Sequence, residues 1–240
     1  MAQVMLDSLD HFNAITGYTH SDEITLIFGP AKVENGSTLA YNGKVVKTCS
    51  LMAGYVSARF NARMLEEDWT DLSAATQEKI AGCKAYFDCR AFSLPDADEV
   101  LANLRWRSNF DCLRNSVSML ARAYYSARAL HGVSTSDVIA MLEDEKGVAW
   151  EDQPPFFRFG CLAKKEQYSF DAVDRKTGEP VVATRSRVVL RSFQLVDHTP
   201  ELVSLMLSKY WGEFDPNADH VWSVDRIRQA VHVRPMVEEE

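Results

Sequence analysis

The hydrophobic positions change period several times along the chain, and each change marks an element. Val45, Cys49, Met52, Ala53, Val56 and Phe60 recur three and four apart, the spacing of an amphipathic helix. Residues 2–10 read as the end of another helix. Two short segments, Ala14 to Thr19 and Ile24 to Phe28, read as strands of a hairpin, with His20-Ser21-Asp22-Glu23 at its turn. Gly29 to Gly43 carries Pro, Asn and Gly and reads as a loop. Glu66 to Gln77 is acidic and connecting. Ala85 to Leu94 predicts a buried strand stopped by Pro95.

A helix is expected from Asp96, with Glu99 at capping-box spacing, continuing to His131-Gly132 with a break at Ser108-Asn109. Ser134 or Thr135 caps a further helix through Leu142. Phe156 to Phe170 and Val181 to Phe193 predict two strands joined at Lys176-Thr177-Gly178-Glu179, and Pro200 to Trp211 a terminal amphipathic helix. This order favours an α+β fold, helices packed on an antiparallel sheet, with residues 1–150 as its main part and 151–240 as a hairpin and helical extension of the same unit.

Composition narrows the function classes. Hydrophobic residues make up 46% of the 240, enough for a sizeable core, yet no apolar run approaches the roughly 18–20 residues of a membrane span. The first residues show no secretory signal. The cysteines (49, 83, 89, 112 and 161) show neither a Cys-x-x-Cys pair nor zinc spacing, which suits reduced thiols in an intracellular protein. The cytoplasm is the expected compartment, with the mitochondrion as the alternative. A net charge of −8 argues against a protein that coats nucleic acid non-specifically. The charge is uneven, however. Residues 101–134 hold five arginines and one acid, and residues 153–195 hold eight Lys/Arg and four acids, so each segment is +4. Such segments can hold nucleotide phosphates or a nucleic acid.

Five constellations could carry chemistry. Asp22-Glu23 is either a solvated turn or a platform for Mg²⁺, a hard cation that binds through one or two carboxylates plus substrate phosphates. Lys44 and Lys47 share a face of a first helical turn, where they are solvated or clamp a triphosphate. Arg90, on the expected strand, needs an ion-pair partner or an opening. Arg107, Arg114 and Arg122 fall within about a quarter of the helix circumference, next to Trp106 and Asn115, and form a solvated stripe or a phosphate contact. Arg185 and Arg187 alternate onto one strand face, for phosphate or for an exposed edge. The histidines show no metal-ligand spacing, and no Walker loop or dinucleotide fingerprint occurs.

Taken together, Gly17-Tyr18-Thr19-His20-Ser21-Asp22-Glu23-Ile24-Thr25-Leu26-Ile27-Phe28, then Phe87-Asp88-Cys89-Arg90, then Trp106-Arg107 through Asn115-Ser116-Val117-Ser118-Met119-Leu120 resemble the tRNA-His guanylyltransferase family, the 3′-to-5′ reverse polymerases. The resemblance reaches from near the start to about Phe193. It implies a polymerase-palm-like sheet and addition of nucleotides to the 5′ end of tRNA, with ATP and GTP as substrates, two Mg²⁺ ions and a homotetramer. Residue by residue, it implies Asp22 as metal ligand and Glu23 beside it in catalysis. It further implies Ser21, Lys44, Lys47, Arg90 and Asn115 on nucleotide, and Arg107, Arg114, Arg122, Arg185 and Arg187 on tRNA.

Two departures refine this. Leu113-Arg114-Asn115-Ser116 stands where the eukaryotic enzymes have a His-Ile-Asn-Asn motif, and resembles the guanylyltransferase-like branch associated with tRNA 5′-end repair. The family's first strand, ending in the Asp-Gly that supplies the other shared metal ligand, has no counterpart in the 21 residues before Asp22. The alternative expectation is therefore a catalytically inactive paralogue that acts as an RNA-binding or assembly subunit.

Overall fold

The structure is a computed structural model that describes residues 1–31, 38–212 and 221–222. A helix α1 (Ala2–Phe12) leads into the hairpin β1 (Thr16–His20) and β2 (Glu23–Ile27). Helices α2 (Val45–Glu66), α3 (Ala74–Ala81), α4 (Ala97–Trp106), α5 (Leu113–Arg122), α6 (Thr135–Lys146) and α7 (Pro155–Phe159) follow. Two long strands, β3 (Cys161–Val173) and β4 (Pro180–Arg191), then α8 (Pro200–Leu207) and the short β5 (Val221–Trp222) complete the order. The fold is α+β, with one antiparallel sheet in the order β2-β1-β3-β4-β5.

Strand alternation sorts the sheet's residues onto two covered faces. On one, Met5 and Leu9 of α1 pack against Cys161, Ala163 and Leu190. On the other, Tyr18 and Leu162 meet Leu101 and Leu104 of α4, Leu205 and Met206 of α8, and Trp211. Every residue of β1 is buried, because β1 is paired on both edges and covered on both faces. Gly17 permits the approach of α1, since a Cβ there would lie 2.6 Å from Met5 Sδ. A third cluster joins α5 to α6 through Val117, Ala121, Val138 and Leu142, with Trp150 and Phe159. Strand β3 reaches β1 only over Cys161–Ala163, while its pairing with β4 runs on to Val173↔Pro180 as a projecting two-stranded ribbon.

Local signals set most of the boundaries. Asp96 caps α4 by accepting from Glu99 N at 2.9 Å, and Ser134 caps α6 by accepting from Asp137 N at 3.2 Å. Several sequence expectations differ from the structure. Residues 85–94 are not a buried strand. Ala85 and Phe87 lie extended along α2, where Asn61 bonds both backbone groups of Ala85 and Ser57 Oγ accepts from Phe87 N. Alternate side chains turn inward, as Phe87 does to Phe60, so a period of two appears without a partner strand. The helix expected to run to Gly132 ends at Arg122 and gives way to turns, and the expected break at Ser108-Asn109 is a widened π-helical segment, Arg107–Cys112. Phe156 opens a helical turn rather than β3, because Pro155 occupies the first turn of α7 and Gly160 ends it.

Gly160 has φ 76° and ψ −170°, a conformation essentially reserved for glycine. Its missing Cβ would sit 2.6 Å from Tyr18 Oη and 2.7 Å from the Thr19 carbonyl. Gly160→Ala is expected to cost about 3 kcal/mol, from backbone strain plus displacement of β1. Denaturant unfolding checks this: the midpoint should fall with the m-value unchanged.

Lys164 is the one lysine among the described residues with no exposure, inside the face covered by α8. Its Nζ donates to Thr16 Oγ1 and to the Ile15 carbonyl at 3.4 Å, and Thr16 Oγ1 in turn donates to the Met206 carbonyl at 2.8 Å. Burial pushes the lysine down to about 7. Above that value the unfolded chain holds a proton that the folded chain lacks, so stability should rise with pH from about 7. Unfolding at pH 7.0 and 8.5 should show this rise, and Lys164→Met should reduce it, leaving the smaller rise that comes from the Met1 amino group, which burial also lowers. The window stops short of the ordinary cysteine range because Cys112 and Cys161, both pushed up to about 12 by burial, act in the opposite sense above it.

Candidate active site

The hairpin closes in two residues. His20 pairs with Glu23 as the last rung, and Ser21 takes a φ of 46°, a left-handed conformation costing a non-glycine residue on the order of 1 kcal/mol. Thr19 Oγ1 donates to the Glu23 carbonyl at 2.7 Å and pins the turn. Ser21, Asp22 and Glu23 are thereby exposed at the tip of a buried strand pair.

Opposite the tip runs the helix α4–π–α5. Across the end of α4 and the widened segment, residues four apart lie on the same side. Arg105 and Asn109 donate to the Leu195 carbonyl, and Arg105 also to that of Val196. Trp106 and Phe110 face solvent. Arg107 and Asp111 face the carboxylate turn. Ser108 and Cys112 face the core, donating to the carbonyls of Phe159 and Phe157.

Arg107 is the link across the site. Its Nη1 lies 3.1 Å from Glu23 Oε2 and 2.7 Å from Asp111 Oδ2, and Arg114 reaches Asp111 Oδ1 at 3.4 Å. The Glu23 and Arg107 side chains are both partly exposed, so their contact is worth about 1 kcal/mol or less. A phosphate group, which pairs with a guanidinium through two oxygens, can displace it. Met119 of α5 passes over the tip, with Sδ 3.9 Å from Ser21 Oγ. Asp22 makes no hydrogen bond or ion pair among the described residues.

His20 lies beneath the turn with a side chain only 2% exposed. Neither ring nitrogen has a hydrogen-bond partner. Nε2 is 3.9 Å from Glu23 Oε2, and the ring sits 5.5 Å from that of Tyr18. Burial lowers its pKa, opposed by the charges of Glu23 and Asp111, and His20 is neutral at pH 7.

The structure brings together Ser21, Asp22, Glu23, Arg107 and Arg114. Asn115 follows Arg114 on α5 and is half-buried, while Arg122 lies two turns further, about 12 Å along the helix. Lys44 and Lys47 are elsewhere. Lys47 covers the ring of Tyr41, which lines a hollow with Phe28 and His11 past the end of β2 opposite the tip, roughly 17 Å away along the strand. Arg90 is exposed and pairs with Asp88 at 3.2 Å. Arg185 and Arg187 are on the ribbon, over the rings of Phe170 and Tyr168.

Asp111 and His20 are members of the site to which sequence patterns assign no role. Asp111 is the lone acid of a basic segment and stands four residues after Arg107, a spacing that signals a helix ion pair. For His20 no signal exists, because its burial depends on the whole sheet.

As a metal platform the site is incomplete among the described residues. No group of three His, Cys, Asp or Glu side chains could hold an ion there. Asp22 can offer one carboxylate, sufficient for a hard cation completed by phosphates, whereas Glu23 and Asp111 are engaged by Arg107. The residues present therefore fit one ion held jointly with a substrate, not a preformed pair.

A charge on His20 would be buried without a hydrogen bond. Its lowered pKa means stability is present above the ordinary histidine value and is lost as pH falls below about 6.5. Thermal unfolding should show a decline between pH 6.5 and 5 in the unsubstituted chain, and a smaller decline in His20→Gln.

Residues 1–95 match the tRNAHis guanylyltransferase (Thg1) family. A protein of Acanthamoeba polyphaga mimivirus described as uncharacterised is 29% identical over 225 residues, spanning 88% of this chain and 73% of its own. Among solved structures, a bacterial tRNA(His) guanylyltransferase (Thg1)-like protein in complex with ATP is similar with a TM-score of 0.56 and 25% identity, over 85% of this chain and 72% of that one. No described helix is long and apolar enough to cross a membrane.

Proposed function

We propose that the chain, whose residues 1–95 match the tRNA-His guanylyltransferase family, is a nucleotidyltransferase adding nucleotides to the 5′ end of tRNA, with ATP and GTP as substrates. The observation that carries this is the Ser21-Asp22-Glu23 tip set against Arg107 and Arg114. Carboxylate and guanidinium groups converge there on one exposed spot, the pairing that phosphoryl chemistry requires. The 3′-hydroxyl of the incoming nucleotide attacks the activated 5′ phosphorus. A P–O bond forms, and the bond to the AMP or pyrophosphate leaving group breaks.

Arg107 holds a phosphate in exchange for its weak contact with Glu23, and Arg114 adds a second cation about two helical turns away on the same side. Ser21 donates to a phosphate oxygen, and Asp22 faces the reacting end. A Mg²⁺ ion at Asp22, when bound, neutralises charge on the phosphate oxygens. Arg90 and Asn115 are assigned to nucleotide, and Arg122, Arg185 and Arg187 to the body of the tRNA. Lys44 and Lys47 hold phosphate away from the tip. Repair of truncated 5′ ends, rather than tRNA-His alone, is the preferred substrate class, and a homo-oligomer the preferred assembly.

A second reading has its own observation. Arg107 engages both Glu23 and Asp111, leaving Asp22 the one tip carboxylate without such a partner among the described residues, which suits an RNA-binding subunit without catalysis.

Incubation with a 5′-truncated tRNA and labelled GTP separates the two. Addition to the 5′ end is expected, with a loss of about 100-fold or more in Asp22→Ala. Salt-sensitive tRNA binding without addition selects the subunit, and neither binding nor addition overturns both.

A further inference from the structure

Trp106 and Phe110 are 57% and 58% exposed, yet their rings stack on each other at 4.7 Å between centroids with 26° between planes. Trp106 ends α4 and Phe110 lies in the widened segment, four residues apart, on the side next to the one that carries Arg107 and Asp111 to the carboxylate turn. Scattered surface aromatics are ordinary. A stacked pair adjoining a phosphate-competent arginine is a more specific arrangement.

We propose that the Trp106–Phe110 pair is a stacking platform for one unpaired nucleobase at the 5′ end of the RNA substrate. This deepens the nucleotidyltransferase reading and rests on it. Three arguments select this occupant. The exposed area of the two rings is roughly 200–300 Å², the scale of one base and well short of the roughly 800 Å² per partner of a stable protein interface. The surroundings are charged, with Arg107, Asp111 and Glu23 on the neighbouring side and a local excess of arginine over residues 101–134. The platform is also open. A free nucleotide binds tightly where most of its surface is enclosed, whereas a base belonging to an RNA held elsewhere by its phosphates can use a single open face.

The test uses the full chain and a tRNA acceptor minihelix carrying 2-aminopurine as its unpaired 5′ residue. Binding should quench the 2-aminopurine by stacking. Trp106→Ala and Phe110→Ala should each remove most of the quenching and weaken binding about 5- to 150-fold. Trp106→Phe, which keeps a ring, should retain most of both. ATP affinity, measured on the same variants, should not change.

Unaltered quenching and affinity in the alanine variants would overturn the platform. An equal loss of ATP affinity would place the incoming nucleotide there instead, and a lowered mass by light scattering would make the pair a contact between copies of the chain. If the unsubstituted chain binds no minihelix at all, the underlying nucleotidyltransferase reading fails, an outcome distinct from loss of the platform alone.

Discussion

The Phe159 carbonyl oxygen accepts two hydrogen bonds at 2.9 Å, one from Tyr18 Oη and one from Ser108 Oγ. Tyr18 is in the buried strand of the hairpin, Ser108 is in the widened helix segment, and Phe159 is the last residue before Gly160 turns the chain into β3. One buried acceptor thus joins the three parts of the fold that define the site. Burial makes the arrangement demanding, because a donor that lost this partner would have no water to replace it. The hairpin tip and the Arg107 side of the helix owe their relative placement to this junction.

The widened segment follows from the same junction. Ser108 and Cys112 both turn to carbonyls of α7, and Arg105 and Asn109 both turn to Leu195, so two sides of the helix around the widening are tied to neighbouring segments. Widening leaves Arg107 and Asp111 aligned toward the turn, and Trp106 and Phe110 aligned toward solvent. Electrostatics then works locally against the global balance. A chain of net charge −8 concentrates guanidinium groups on one helix and spends its exposed tip carboxylates opposite them.

Much of this was legible along the chain. The hairpin, the helix beginning at Val45, the caps at Asp96 and Ser134 and the two long strands all carry local signals, and local interactions enforce them. The failures have equally definite causes. At 85–94 an extended segment borrows its hydrogen bonds from Asn61 and Ser57, and no pattern within ten residues distinguishes that from pairing with a strand. Pro155 signals a helix start, but the nearly continuous apolar run from Phe156 to Ala163 hides that signal.

The functional residues divide along the same line. Sequence alone determined that two carboxylates sit at a tight turn between strands, that arginines line one helix, and that the combination resembles a tRNA-modifying family, because turn chemistry, periodicity and motif order are properties of neighbouring residues. Tertiary structure alone decided which arginines meet which carboxylates. It selected Arg107 and Arg114 from the stripe, added Asp111 and the buried His20, and separated Lys44 and Lys47 from the tip by the length of the hairpin. Those choices depend on how a helix is rotated and where a strand ends. Both are fixed by contacts between segments as far apart in sequence as Tyr18 and Phe159.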